Sequence, residues 1–423
     1  MKDRIKLGVI GLGCRGMQMI RNPLILMKED GIDIVAVCDL LQDRVEAATE
    51  TIVASGAKKP FMTNDYNELL KIEELDAVYI AVSWEMHIKV AVAAMKAGKY
   101  VGLEAGGAYS LDDCYTLIHA YEQTGTELML MENCCYGNRE LMALNMVHKG
   151  VFGEVMHCNG AYCHDLRAEV INGLENKHYR LRNYILRNSE NYPTHEIGPI
   201  AKVLGINNGN RFLTLSSFAS GSKGLHQYAV DKKGADHPLS KIDFAQSDVV
   251  TTVLTCAGGQ TVCITLETGL PRGYSRRFEV HGTKGIYMED NDSIFIDGTE
   301  EHHKNEWIWK PMWGNAEKYE EQYAHQLWKN GVATTDAHGG IDRLIFEAFF
   351  ESVRTNCHPP IDVYDAATYM CITVLSENSI AMGGTPVAFP DFTNGKWIQR
   401  RDIADNKFTL DIINRGENLY FKD

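Results

Sequence analysis

The stretch from residue 5 to residue 16, Ile-Lys-Leu-Gly-Val-Ile-Gly-Leu-Gly-Cys-Arg-Gly, constrains this chain more than any other. Its apolar run, 5–10, reads as a buried strand. The run ends in Gly11-x-Gly13-x-x-Gly16, after which the pattern turns helical. In a dinucleotide-binding unit each glycine has a task. Gly11 permits the tight turn, Gly13 lets a pyrophosphate approach the backbone, and Gly16 lets helix and strand pack closely. The helix N-terminus adds free N–H groups and the positive end of a dipole, to which Cys14 and Arg15 belong. A second strand, 32–38, is closed by Asp39, 23 positions after Gly16. A carboxylate there accepts hydrogen bonds from ribose hydroxyls and repels a 2′-phosphate, which favours NAD over NADP. The competing explanation is a glycine-bounded turn in an α/β sheet, with Asp39 as an ordinary helix cap.

Strand and helix patterns alternate up to about residue 132. Apolar runs at 77–82, 100–103 and 128–131 predict further strands. Helical patterns fall near 67–73, at 87–97 before Gly98, and at 111–124, where Ser110 is the N-cap and Asp112 and Asp113 fill the first turn. This predicts a parallel, doubly wound sheet, whose ligands bind at the C-terminal strand ends. Those ends are 83–87, Glu104-Ala105 and Glu132-Asn133. After a helix at 139–149 the pattern changes. Residues 154–163, 212–220, 247–268 and 276–298 alternate or run apolar between glycine turns, as antiparallel strands do. Residues 166–210 and 300–340 read as irregular and rich in aromatic, Arg and His residues; 339–355 and 366–381 read as helices. At 423 residues the chain is too long for one ordinary core. The expectation is an α/β protein of two parts. Residues 1–133 form an NAD-binding Rossmann domain. Residues 134–423 form a substrate-binding α/β domain, with an open, largely antiparallel sheet and helices on one face.

A net charge of −14 argues against nucleic acid or an anionic membrane as partner. No run approaches the roughly 18 apolar residues of a membrane span. The first strand begins within a few residues of Met1, leaving no room for a signal peptide, so a cytoplasmic protein is expected. Eleven cysteines are present without a CxxC pair or a zinc-like Cys/His spacing. A reduced compartment and no metal are therefore expected, although Cys134-Cys135 permits a vicinal disulfide. The closing residues 417–421 resemble a protease recognition tag and carry no argument.

Four stretches are dense in ionisable and polar aromatic groups: 131–136, 160–167, 191–199 and 272–277. Singly, each has a packing explanation. Together, carboxylate, phenol, imidazole and guanidinium beside a nicotinamide suit acid–base work on a sugar. These stretches make the chain recognisable. It resembles the Gfo/Idh/MocA oxidoreductase superfamily and, within it, the NAD-dependent glycosidases of glycoside hydrolase family 109. The resemblance runs from about residue 5 to 392. Its most specific pieces are Glu132-Asn133-Cys134-Cys135-Tyr136-Gly137, Gly150-Val151-Phe152-Gly153-Glu154, Gly160 to Arg167, Tyr192-Pro193-Thr194-His195, His281 to Gly285, and Pro386 to Phe392.

The resemblance implies NAD contacts from Cys14, Arg15, Asp39, Trp84, Glu85, Met86, His87, Glu104, Ala105 and Asn133. It implies sugar contacts from Tyr162, Arg180, Tyr192, Pro193, Thr194, His195 and Tyr274. The implied catalytic set is Glu132, Tyr162, His195 and Tyr274. The implied chemistry removes terminal α-linked N-acetylgalactosamine through transient oxidation at C3, elimination across C1 and C2, water addition and re-reduction, one of the NAD-dependent exceptions to two-carboxylate glycoside hydrolysis. His195, whose ordinary pKa is near neutrality, is the expected base at O3. Tyr162 is the expected base at C2, and paired subunits are expected.

Two departures stand out. Simple dehydrogenases of the superfamily carry Glu-Lys-Pro after the fourth strand; here Glu104-Ala105-Gly106-Gly107 has neither that Lys nor the Val-Pro of the glycosidases. Glu196-Ile197 follows His195 where the family has Gly-Leu. An NAD-dependent sugar or inositol dehydrogenase and a non-catalytic NAD-bound sensor are the competing functions.

Overall fold

A computed structural model of the protein describes residues 2–299, 313–329, 338–398 and 406–411. Part of the 300–340 stretch and all of 417–421 lie outside them. Six strands form the first sheet: Ile5–Ile10 (β1), Ile32–Cys38 (β2), Phe61–Thr63 (β3), Ala77–Ile80 (β4), Tyr100–Glu104 (β5) and Leu128–Met131 (β6). They lie parallel in the order β3-β2-β1-β4-β5-β6. The order reverses between β1 and β4, which opens a crevice at their C-terminal ends. β4, β5 and β6 are buried along their whole length, and therefore read as unbroken apolar runs. The edge strand β3 escaped the sequence reading, because three partly exposed residues make no pattern. The glycine turn is as tight as its spacing requires. A Cβ on Gly11 (φ +95°) would lie 2.4 Å from the Ala81 carbonyl oxygen, and one on Gly16 2.0 Å from that of Gly11. Ser110 caps the helix Leu111–Thr124 by accepting the Asp113 N–H at 3.0 Å.

The second sheet holds Val155–Cys163 (β7), Phe212–Ala219 (β8), Val249–Cys256 (β9), Thr261–Glu267 (β10), Glu279–Gly282 (β11), Gly285–Met288 (β12), Ser293–Ile296 (β13) and Val387–Ala388 (β14). Their order is β13-β12-β11-β7-β10-β9-β8-β14. Every described pairing is antiparallel except β7 with β10. Alternation sends Leu215, Leu254, Val262 and Ile264 inward, leaving Val253 and Thr261 on the opposite face. The helices Thr194–Val203 and Val363–Ala381 pack on this sheet.

The stretch 166–210 is not irregular, as expected, but carries the helices Arg167–Ile171, Arg180–Leu186 and Thr194–Val203. Gly198 and Pro199 disguise the last of these, since both disfavour a helix interior. Burial overrides that preference, for every residue of the helix except His195 is buried.

The late helix Ile341–Thr355 returns to the first sheet. Phe346 packs against Tyr79 with ring centroids 5.0 Å apart, and Phe349 against Tyr100 at 5.7 Å. All eleven cysteines are free thiols. Among the described residues no helix is long and apolar enough to cross a membrane.

His358 ties the cap of Val363–Ala381 to the start of β6. Its Nδ1 lies 2.8 Å from Glu127 Oε1 and its Nε2 3.3 Å from Asp362 Oδ2. Burial disfavours the imidazolium, but the hydrogen bonds to Asp362 and Glu127 outweigh it and push the pKa up to about 10. A pKa raised on folding stabilises the fold fully below the ordinary value of 6.5, and that contribution fades as pH rises through about 10. His358→Gln is expected to cost about 2 kcal/mol at pH 6, less than a fully buried pair because His358 is partly exposed, and much less above pH 10. Calorimetric unfolding at the two pH values checks this; equal losses would refute the role.

Candidate active site

The crevice beside the glycine turn is built from the strand ends. Gly13 is open there, a Cβ meeting only Arg44 Nη1 at 3.4 Å. Asp39, at the end of β2, accepts the N–H groups of Leu12 at 2.7 Å and Leu41 at 2.9 Å. Arg15 donates to Glu104 Oε1 at 2.9 Å and to Asp342 Oδ1 at 2.9 Å. Tyr79 also donates to Glu104, and Asn133 donates to Asp342 at 2.7 Å. Arg15, Glu104 and Asn133 thus belong to one network, anchored by Asp342 of the helix Ile341–Thr355, a residue the sequence reading missed because it lies 209 positions beyond Asn133.

Trp84, Glu85, Met86 and His87 open the helix Trp84–Lys96, at the end of β4. Glu85 pairs with Arg182. His87 lies 3.0 Å from the Val82 carbonyl through Nε2, and burial lowers its pKa to about 4, so the imidazole is neutral. Its Nδ1 and the Trp84 indole N–H are buried without a partner. Ala105 is buried beside them, and Gly106 makes room for the indole, because a Cβ there would lie 2.5 Å from Trp84 Cδ1. Gly107 likewise could not carry a Cβ, which would stand 2.2 Å from Thr373 Oγ1. An open glycine cradle, a carboxylate after β2 and two orphaned polar atoms suit a dinucleotide.

Next to this crevice, the end of β6 meets the helix Thr194–Val203. The approach is close at Gly198, where a Cβ would be 2.7 Å from Glu132 Cγ. It brings His195 Nδ1 within 2.7 Å of Glu132 Oε1, which also accepts the Cys134 N–H at 3.1 Å. Glu132 is fully buried. Burial alone would raise its pKa, but the charge and hydrogen bond of His195 hold it below the usual carboxylate range. For His195, burial is outweighed by Cys134 and Glu132, which push its pKa up to about 10. The near-neutral imidazole expected from the sequence is therefore corrected to a more basic one, because the partner 63 positions away was not visible as a partner.

His195 Nε2 lies 3.5 Å from the Tyr192 hydroxyl. Tyr162, at the end of β7, packs its ring 4.7 Å from Tyr192 and 5.6 Å from His195. Tyr192 stacks on Trp84 at 5.6 Å, and the Arg180 guanidinium lies 5.2 Å from the Tyr192 ring. Arg180 also pairs with Glu169 at 2.5 Å. Burial pushes the Tyr162 phenol up to about 12, against the opposing pull of Arg180. Tyr274 is 53% exposed and forms the outer edge, with its ring 6.3 Å from that of Tyr162. Pro193 immediately precedes the helix and Thr194 is its first, fully buried residue. The structure thus gathers Glu132, Tyr162, Arg180, Tyr192 to His195 and Tyr274 in one place.

Two members were not singled out from the sequence. His164 Nδ1 lies 3.2 Å from the Tyr162 hydroxyl, and Tyr179 packs edge-on to Trp84 at 4.9 Å. His164 lies two positions beyond Tyr162 within a stretch already marked as dense in such groups, which was the available signal. A third difference concerns metals. Glu132, Cys134 and His195 form a group of metal-ligand type that no sequence spacing displayed.

Comparison with known proteins agrees with this architecture. Residues 5–132 match the family described as "Oxidoreductase family, NAD-binding Rossmann fold", and residues 136–399 match "Glycosyl hydrolase 109, C-terminal domain". A glycosyl hydrolase family 109 protein of Parabacteroides distasonis is 38% identical over 94% of this chain and 89% of its own. An alpha-N-acetylgalactosaminidase of Tannerella forsythia is 39% identical over 94% of this chain and 88% of its own. Among solved structures, levoglucosan dehydrogenase with NADH and levoglucosan superposes with a TM-score of 0.69 at 17% identity, over 92% of this chain and all of that one, a likeness of fold. The match to the C-terminal domain over most of the second half, together with these identities along nearly the full length, makes the chain a member of glycoside hydrolase family 109.

Proposed function

We propose that this enzyme removes terminal α-linked N-acetylgalactosamine from glycans by reversible oxidation at ring C3, and that Glu132, Tyr162, His195 and Tyr274 are its catalytic groups. The observation that carries this reading is the pair of buried Glu132 and half-buried His195 set against Tyr162 and Tyr192, beside the dinucleotide crevice. The substrate class is supported by the Tannerella forsythia relative. Gly11, Gly13, Cys14, Arg15 and Gly16 hold the pyrophosphate end of NAD, Asp39 the ribose, and Trp84, Glu85, Met86, His87, Glu104, Ala105 and Asn133 the remainder. When bound, NAD supplies a hydride acceptor for C3 and gives the hydride back at the end of the cycle.

The protein's own residues move the protons. Glu132 fixes the His195 ring through Nδ1, which leaves Nε2 for the substrate. His195 takes the O3 proton through Nε2 in its neutral form, which its raised pKa makes the minor form at neutral pH, so the C3 alcohol can become a ketone. The ketone acidifies the hydrogen on C2, which Tyr162 removes as the C1 leaving group departs. Tyr162 must shed its own proton first; His164 Nδ1 is placed to accept it, because burial keeps that imidazole neutral and Arg180 stabilises the phenolate. Arg180, Tyr192, Pro193 and Thr194 hold the sugar, and Tyr274 orients it from the exposed edge. Water adds at C1 and the proton steps reverse. The chain divides at residue 133, NAD to its N-terminal side and sugar to its C-terminal side. A cytoplasmic setting, paired subunits, and no nucleic-acid or membrane partner complete this reading.

Cleavage of a nitrophenyl α-N-acetylgalactosaminide is expected to disappear when NAD is stripped and to return when it is restored, with no net NADH absorbance. Product formed in D2O should carry deuterium at C2; turnover without that exchange would exclude the elimination route, and accumulating NADH would indicate a dehydrogenase. A second outcome follows from the charge on Glu132. Glu132→Gln removes one of the two groups that raise the His195 pKa, leaving Cys134 alone against burial, which lowers it. The acid limb of kcat/KM is expected to move to lower pH while kcat falls about a hundredfold. A limb that stays in place would take the O3 base away from His195.

A further inference from the structure

Cys134 adds to the basicity of His195 but carries no proton in the steps above. A carboxylate oxygen of Glu132, the Cys134 sulfur and an imidazole nitrogen of His195 nevertheless all lie within 4.8 Å of one another. The short turn Asn133–Tyr136 that follows β6 produces this arrangement. It folds the chain back so that the Cys134 N–H donates to Glu132 Oε1, and it carries the sulfur round to the same side. Cys134 is 3% exposed, and its sulfur makes a long contact, 3.6 Å, with Asn133 Oδ1 and faces His195. A second observation points to a ligand. Glu132 Oε2 is fully buried and has no hydrogen-bond partner, although an uncommitted carboxylate oxygen in such a place is costly.

The chemistry of these three donors is selective. Magnesium and calcium call for oxygen ligands throughout, whereas thiolate with imidazole and one carboxylate suits zinc and its soft neighbours. Three protein ligands with one position left open is the usual form of a zinc site that also meets small molecules. The charges agree as well. Carboxylate and thiolate would neutralise a dication, and the nearby Arg276 is already paired with Glu140 at 2.5 Å. We propose that Glu132, Cys134 and His195 bind one thiophilic divalent cation of the zinc type, and that this binding switches the enzyme off, because an imidazole coordinated through Nδ1 keeps its proton on Nε2. The cation displaces the proton between His195 Nδ1 and Glu132 and is held by the Cys134 sulfur as thiolate. The binding half stands on the donor geometry alone; the inhibitory half rests on the role proposed above for His195.

The test separates the two halves. Cobalt(II), as a coloured stand-in for zinc, is titrated into the reduced full-length protein. A thiolate-to-cobalt charge-transfer band should reach its limit at one equivalent and bleach when zinc is added. Cys134→Ser and His195→Ala should lose the band, whereas Cys14→Ser, at an exposed thiol, should keep it. Zinc should inhibit glycoside cleavage reversibly, with chelator restoring it. Relative to its own metal-free rate, Cys134→Ser should need at least about tenfold more zinc for the same fractional inhibition. Absence of the band, or its survival in both Cys134→Ser and His195→Ala, overturns the site. Should Cys134→Ser not fold, the band in Glu132→Gln and His195→Ala decides the matter alone. A band without inhibition overturns the switch and leaves the glycosidase reading untouched.

Discussion

The contact between Glu132 and His195 is where the two halves of the molecule become one enzyme. Each residue belongs to a different sheet's surroundings, one at the end of a parallel strand, the other on a helix of the second layer. Their 2.7 Å approach depends on Gly198, where any side chain would strike the Glu132 stem. Because Glu132 is fully buried and His195 nearly so, each member sustains the other's charge. A carboxylate alone at that depth would take up a proton, and an imidazolium alone would lose one. The same pair also aims Nε2 at the pocket, so charge and orientation arise from a single hydrogen bond.

The crevice at the strand ends has a comparable anchor. Asp342 comes from a helix late in the chain, yet it fixes Arg15 from the glycine turn and Asn133 from the end of β6. The polar groups of the crevice are therefore preset by the second half of the chain. Hydrogen-bonded side chains of this kind have little freedom left to lose when a ligand arrives, which favours tight and oriented binding.

Local patterns in the sequence carried the first sheet well. The span of β2 and the helix Leu111–Thr124 with its Ser110 cap follow directly from periodicity and end signals. What stayed hidden has specific causes. β3 is three residues long, and the helix Thr194–Val203 contains Gly198 and Pro199, so its only support is tertiary burial. The site residues themselves were found through family motifs, since nothing local pairs Glu132 with His195 or either with Asp342. The basicity of His195 and the convergence of Cys134 upon it are likewise products of long-range folding, invisible to any spacing rule.

The Gly106-Gly107 step, an oddity when met as sequence, acquires a meaning from the indole beside it. The missing Cβ is the space that Trp84 occupies, and Trp84 in turn carries the stack under Tyr192. Positions 84 and 106 consequently behave as one steric unit shared between the strand-end crevice and the aromatic wall of Tyr192. Reshaping that wall means exchanging both residues in concert, and a bulkier residue at 106 would be felt on the far side of the indole, at Tyr192.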